Sequence, residues 1–267
     1  MLWEQLNVKQ FGEAAKEGVC IIPIGVLEKH GNHLPLGTDM YTSTAICTAA
    51  AKIAPAVVFP YYFFGQISEG RHYAGTIAIS HSLMMENLLA ICDEIARNGM
   101  EKILILSGHG GNNYFLPFFA QEMPRLARDY QVYTGFAAGL TEPQRDVIRK
   151  KAGYNDLGQH AGLCETALMM YLQPDLIQNE AQNPQEGVNL SRMAQVKEAN
   201  LFTGFNWYAD FPNHYAGDHS RATSALGKEI FDMMVENTVK KIQAVKADNE
   251  SFVFISEYAD LAKAPRA

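Results

Sequence analysis

Four short apolar runs, separated by longer stretches of helical pattern, restrict this chain to a small set of folds. The runs cover residues 19–27 (VCIIPIGVL), 56–64 (AVVFPYYFF), 102–108 (KILILSG) and 131–138 (QVYTGFAA). Each is strand-length and rich in Val, Ile, Phe and Tyr. Helical patterns fall at 40–54, 81–100 and 113–130, then at about 163–172 and about 222–246. Leu83, Leu88, Ile91 and Ile95 recur near the helical period, as do Leu226, Ile230, Met233, Met234 and Val239. Strands that are apolar throughout and alternate with helices predict an α/β fold, a mostly parallel sheet covered on both faces. With no repeat, low-complexity tract or linker, residues 1–267 read as one domain. Residues 183–220 are looser, with Pro184, Pro212, Phe202, Phe205, Trp207, Tyr208 and Phe211, and predict a lid or an oligomer contact.

Composition narrows the function classes. At 267 residues, 48% hydrophobic and 19% charged, the chain reads as an ordinary globular protein. A net charge of -7 argues against a broad footprint for nucleic acid or an anionic membrane surface. Cys20, Cys47, Cys92 and Cys164 form no CxxC pair and sit in apolar contexts, which predicts buried free thiols. Nothing approaches the roughly 20 apolar residues of a membrane span, and residues 1–18 carry charges with no apolar signal-peptide core. The expected setting is a reducing cytoplasm.

In open α/β sheets, ligands collect at the C-terminal ends of the strands, and the polar clusters of this sequence fall there. The first run ends in EKHGNHLPLGTD, residues 28–39. Glu28 and His30 are two apart and project to one side of an extended chain, a pairing that suits zinc, manganese or iron. Asp39 opens the next helix, where it fits either an N-cap or a carboxylate that bridges two cations. The third run ends in SGHGGNN, residues 107–113, where Gly108, Gly110 and Gly111 free the backbone around His109. Neither GxxxxGK[ST] nor GxGxxG is present, which argues against a nucleotide site. A third cluster, residues 159–172, places His160 at a helix start and Glu165 in its first turns. They fit a polar cap and a favourable helix charge, or the base and missing ligand of a hydrolytic metal centre.

These residues resemble the creatininase (creatinine amidohydrolase) family. The resemblance rests on Glu28-x-His30-Gly31-x-His33-Leu34-Pro35-Leu36-Gly37-Thr38-Asp39, on Ala74-Gly75-Thr76 after His72, and on Ser107-Gly108-His109-Gly110-Gly111-Asn112. It continues through His160-Ala161-Gly162-x-x-Glu165-Thr166, Gly217-Asp218, Ala222-Thr223 and Gly227, spanning about 19–240. The resemblance implies a three-layer α/β/α sandwich, two divalent metal ions per chain (zinc with zinc, manganese or iron) and a homohexamer. Glu28, Asp39 and His109 would hold one ion, and His30 with a bridging Asp39 the other. The family's creatinine-hydrolysing branch carries Tyr then a ligating Glu directly after the histidine matching His109. Here those positions are Gly110 and Gly111, so Glu165 is the expected substitute carboxylate, and creatinine is not the expected substrate.

The expected chemistry is hydrolysis of a C–N bond in a small-molecule cyclic amide or formamide by a metal-activated hydroxide. His160 would move a proton to the leaving nitrogen, with Glu165 as its partner. His33, His72, Thr76 and Trp207 are expected to contact substrate, whereas His81, His214 and His219 read as structural or surface histidines. The alternatives are a hydrolase of the same family that processes a peptide or biosynthetic intermediate, and a non-catalytic, metal-stabilised assembly subunit.

Overall fold

The computed structural model describes residues 1–178 and 182–264. Three of the four apolar runs form strands of six residues: β1 (Val19–Ile24), β3 (Lys102–Ser107) and β4 (Gln131–Phe136). The 56–64 run yields only β2 (Val57–Val58). Pro60 has no N–H to give to a ladder, yet the chain still tracks β1, with Phe59 N donating to Ile21 O (2.8 Å) and Gly25 N to Tyr62 O (2.9 Å). The sheet runs β2-β1-β3-β4 and is wholly parallel, with Ile24 opposite Ser107 and Ser107 opposite Phe136. All four strands therefore end on one edge.

The helices are α1 (Val8–Ala14), α2 (Thr38–Ile53), α3 (His81–Arg97), α4 (Asn112–Leu126), α5 (Glu142–Ala152), α6 (Leu163–Leu172), α7 (Ala194–Glu198), α8 (Asn206–Asp210), α9 (Ser224–Ala247) and α10 (Glu250–Lys263). Of these α1, α5 and α10 lie outside the helical patterns of the sequence, and the short α7 and α8 fall in the segment 183–220 that reads as loop. α3 and α4 end three or four residues earlier than the pattern predicts, and Ala127, just past α4, takes φ +48°.

Successive strand residues face opposite layers. Ile21, Leu104 and Leu106 pack with α2, α6 and α9 through Ile46, Ala50, Ala167 and Ile230. Ile22, Ile103 and Ile105 pack with α3 and α4 through Leu88, Ile95, Leu116 and Phe119. The result is the expected three-layer α/β/α sandwich. Cys20, Cys47 and Cys92 are buried free thiols within these layers, and Cys164 is a half-buried one. Among the described residues no helix is long and apolar enough to cross a membrane.

Candidate metal centre

The loops that leave the two central strands bring the site together. After β1 the chain carries Glu28 and His30 to α2, and Asp39 lies in that helix's first turn. Asp39 is not the N-cap. Gly37 is, without a side-chain cap, so the Asp39 carboxylate is free for other work while its charge suits the helix N-terminus. After β3, Ser107 Oγ accepts from His109 N (3.0 Å) and donates to His109 O (2.8 Å), and Asn112 Nδ2 donates to Ser107 Oγ (3.0 Å). This closed turn fixes His109.

The glycines around His109 serve a different purpose from the one expected. None of Gly108, Gly110 and Gly111 has a positive φ, so conformational freedom is not what they provide. At Gly108 and Gly111 space is: a Cβ at Gly108 would lie 2.6 Å from Asp39 O, and one at Gly111 would collide with the His109 ring, whereas one at Gly110 would meet nothing.

Glu28, His30, Asp39 and His109 are all buried. His109 Nδ1 is 2.8 Å from Glu28 Oε1 and 3.3 Å from Asp39 Oδ2. His30 Nε2 is 3.2 Å from Asp39 Oδ1 and 3.9 Å from Glu165 Oε2. The carboxylate of Asp39 is thus divided between two histidines. Three trios have ligand atoms within 4.8 Å of one another: Glu28, Asp39 and His109; His30, Asp39 and Glu165; Glu28, His30 and His160.

The tautomers favour a cation. His109 Nε2 donates to Gln66 O (2.8 Å), leaving the Nδ1 lone pair for the cluster. His30 Nδ1 donates to Glu28 O (3.3 Å), leaving Nε2 toward Asp39 and Glu165. Among the described residues Glu28 Oε1 and Asp39 Oδ2, both buried, accept no hydrogen bond. Converging lone pairs whose other ring nitrogen is held by a carbonyl fit a nitrogen/oxygen-ligated divalent ion.

Protons on His30 and His109 balance the charge of these carboxylates. Burial opposes protonation of His30, but Asp39, Glu28 and Glu165 outweigh it and raise its pKa to about 10. Burial likewise opposes, and Glu28 and Asp39 outweigh, for His109, which is held well above the usual imidazole range. Burial would raise Glu28, but the charge on His109 beside it and the hydrogen bond from His214 hold it well below the carboxylate range. Burial raises Glu165 to about 7, with His30 opposing and Asp39 adding to the rise.

His160 and Glu165 flank the cluster. His160 precedes α6 rather than opening it, and its Nε2 donates to Lys29 O (2.7 Å). Burial pushes His160 down to about 3, so the ring is neutral at ordinary pH. Glu165 lies in the first turn of α6, and its Oε2 accepts from Ala161 N (2.5 Å).

A cavity of about 720 Å³ opens over Glu28, Asp39, His109, His160 and Glu165. Trp207 and Phe211, from the 183–220 segment, form part of its wall. The Trp207 ring stands edge-on to His160 at 5.8 Å. His33, His72 and Thr76 do not reach this cavity. His33 is buried behind the site, bonded to Thr166 Oγ1 (2.9 Å) and stacked on His219 (4.1 Å). His72 is turned to Pro212 O (3.0 Å), and Thr76 to Gly70 O (3.0 Å).

One neighbour of the cluster, His214, stands where the sequence suggests only a structural or surface histidine. His214 Nε2 lies 2.5 Å from Glu28 Oε2, and the residue lines the cavity. It stands alone in a loop 186 positions from its partner, so no spacing announces it. The available signal was the local density of NHYAGDH, residues 213–219.

A sequence profile described as Creatininase: Creatinine amidohydrolase matches residues 4–242. The creatinine amidohydrolase of Pseudomonas putida is 28% identical over 189 residues, covering 65% of this chain and 72% of that protein. The mycofactocin precursor peptide peptidase of Mycolicibacterium smegmatis is 26% identical over 241 residues, 87% of each. Among solved structures, a mutant creatininase complexed with creatine superposes with TM-score 0.76 at 21% identity, covering 91% of this chain and 97% of that one. A manganese creatininase gives TM-score 0.73 at 21% identity, over 92% and 99%. The profile spans most of the sequence, and the chain belongs to the creatininase (creatinine amidohydrolase) family.

Proposed function

We propose that this protein is a binuclear metal-dependent amidohydrolase that cleaves a C–N bond of a small cyclic amide or formamide. The observation that carries this reading is Asp39, whose two carboxylate oxygens face His30 and His109 separately. Glu28, Asp39 and His109 would hold one cation, and His30, Asp39 and Glu165 the other, so Glu165 supplies the carboxylate that Gly111 cannot. Two divalent cations, when bound, polarise a carbonyl and make water a nucleophile near neutral pH.

The chain's own groups do the rest. The aromatic wall of Trp207 and Phe211 flanks a planar amide and excludes water. His160, whose Nε2–H is held by Lys29 O, has Nδ1 as its one free ring nitrogen, and that atom would take up a proton and return it to the departing nitrogen once the amide is bound. Gly110 leaves open space where the creatinine-hydrolysing branch carries Tyr, which supports a substrate other than creatinine.

One observation favours a second reading, hydrolysis of a longer, peptide-like substrate. A further cavity of about 510 Å³ shares Gly110, Gln159, His160 and Glu165 with the first. The two cavities meet at His160 and Glu165, which gives room for a chain on both flanks of its scissile bond.

Metal analysis of the purified protein, followed by a screen of formamides, cyclic ureides, lactams and short peptides, tests both readings. Two metal equivalents per chain and turnover of a small amide support the first. Turnover of peptides alone moves the assignment to the second. Metal without turnover of anything leaves a metal-stabilised subunit.

A further inference from the structure

We propose that His214 is a positioning residue that fixes the Glu28 carboxylate for metal binding, an inference that rests on the metal centre above. Both side chains are about 1% exposed, and His214 Nε2 is 2.5 Å from Glu28 Oε2. The carboxylate can only accept, so Nε2 carries the hydrogen, and a lone pair there would face another lone pair at that distance. His214 is thereby the donor behind Glu28 rather than a ligand beside it. With Oε2 engaged, Glu28 presents Oε1 to His109 and Asp39. Without the bond, a carboxylate on a flexible stem can rotate away from the trio.

The backbone supports this role. His214 takes φ +52°, the left-handed region, where a non-glycine residue stays only if its surroundings hold it. Its N–H donates to Phe211 O (3.0 Å), and its carbonyl accepts from Gly31 N (3.3 Å). Gly31 follows His30, so one residue clamps the cavity wall at Phe211, the loop that bears His30, and the Glu28 carboxylate. Its Nδ1 has no partner among the described residues, so the Nε2 bond to Glu28 and packing against His160 (4.8 Å) orient the ring.

The test compares His214→Leu with His214→Gln in the full chain. Both replacements meet the same left-handed backbone, but only the glutamine amide can donate to Glu28. Zinc affinity is measured by competition with a chromophoric chelator, and cobalt-loaded protein gives the ligand field from its visible spectrum. Far-UV circular dichroism confirms folding. Weakening a ligand's outer partner lowers metal affinity on the order of 10–100-fold, and that loss is expected in His214→Leu with an altered cobalt spectrum. His214→Gln is expected to stay within about threefold of the parent. Parental affinity and spectrum in His214→Leu, or equal losses in the two variants, overturn the proposal. A parent chain that takes up no metal overturns this proposal and the metal-centre reading together.

Discussion

Gly111 and the imidazole of His109 compete for one space: a Cβ at position 111 would run into His109 Nε2, and it would also lie 2.8 Å from Gln66 O, the carbonyl that orients that ring. Position 111 therefore cannot carry a side chain while His109 keeps its present orientation. Restoring glutamate there should harm the site rather than supplement it. Gly111→Glu is expected to lose metal and to fall in stability by about 1–3 kcal/mol from overpacking. Metal analysis and thermal unfolding check both. A variant with full metal content and unchanged melting temperature contradicts the geometric argument.

Glu165 offers the complementary experiment. In Glu165→Gln the trio with His30 and Asp39 loses one of its two carboxylate charges while the Glu28 trio keeps all its ligands. The expected outcome is a drop from two metal equivalents to one, with activity down at least about 100-fold, beyond what outer-partner changes cause. Retention of two equivalents removes Glu165 from the ligand set.

The metal-free chain should be sensitive to rising pH. His30 has a folded pKa of about 10 against an ordinary value of 6.5, so its contribution is complete below pH 6.5 and is lost as pH rises through 10. Glu165 is raised from 4.5 to about 7, so folding favours its protonated form, and that contribution fades between pH 4.5 and 7. Both signs agree. The melting temperature of chelator-treated protein should fall from pH 6 to pH 10, less steeply in Glu165→Gln at the acid end. Adding zinc at pH 8 should release protons, because metal replaces the His30 and His109 protons; calorimetry in buffers of different ionisation enthalpy counts them. Zinc binding without proton release speaks against this charge arrangement.

His33 separates scaffold from site. It is buried against His219 and bonded to Thr166, and burial with His219 nearby depresses its pKa to about 3. His33→Ala is expected to cost about 2–3 kcal/mol of stability and to leave the metal stoichiometry and the KM of any substrate found unchanged. A raised KM at unchanged stability would place it in the substrate path after all.

Legibility in the sequence followed burial. β1, β3 and β4 could be read because the layers on both faces make them apolar throughout, whereas β2 was overestimated because Pro60 interrupts an otherwise convincing run. α5 buries only Ile148, and α10 buries no residue, so neither writes an apolar stripe into the sequence. Glu28, His30 and Asp39 were visible because they are neighbours in sequence, and His109 because a glycine-rich turn frames it. His214 reaches Glu28 only through folding. His33 misled because its place inside the densest motif says nothing about which way its ring turns.

Asp39 carries one more consequence. A Cβ at Gly25 or at Gly108 would press on its backbone, at 2.8 Å from the Asp39 carbonyl carbon in one case and 2.6 Å from Asp39 O in the other. The aspartate is held where two strand ends and a helix start meet at van der Waals contact, so its coordinates are a property of the hydrophobic layers more than of the polar loop. Changes in the packing of α2 on the sheet, made far from any charged residue, would therefore be felt as displacements of the Asp39 carboxylate between His30 and His109.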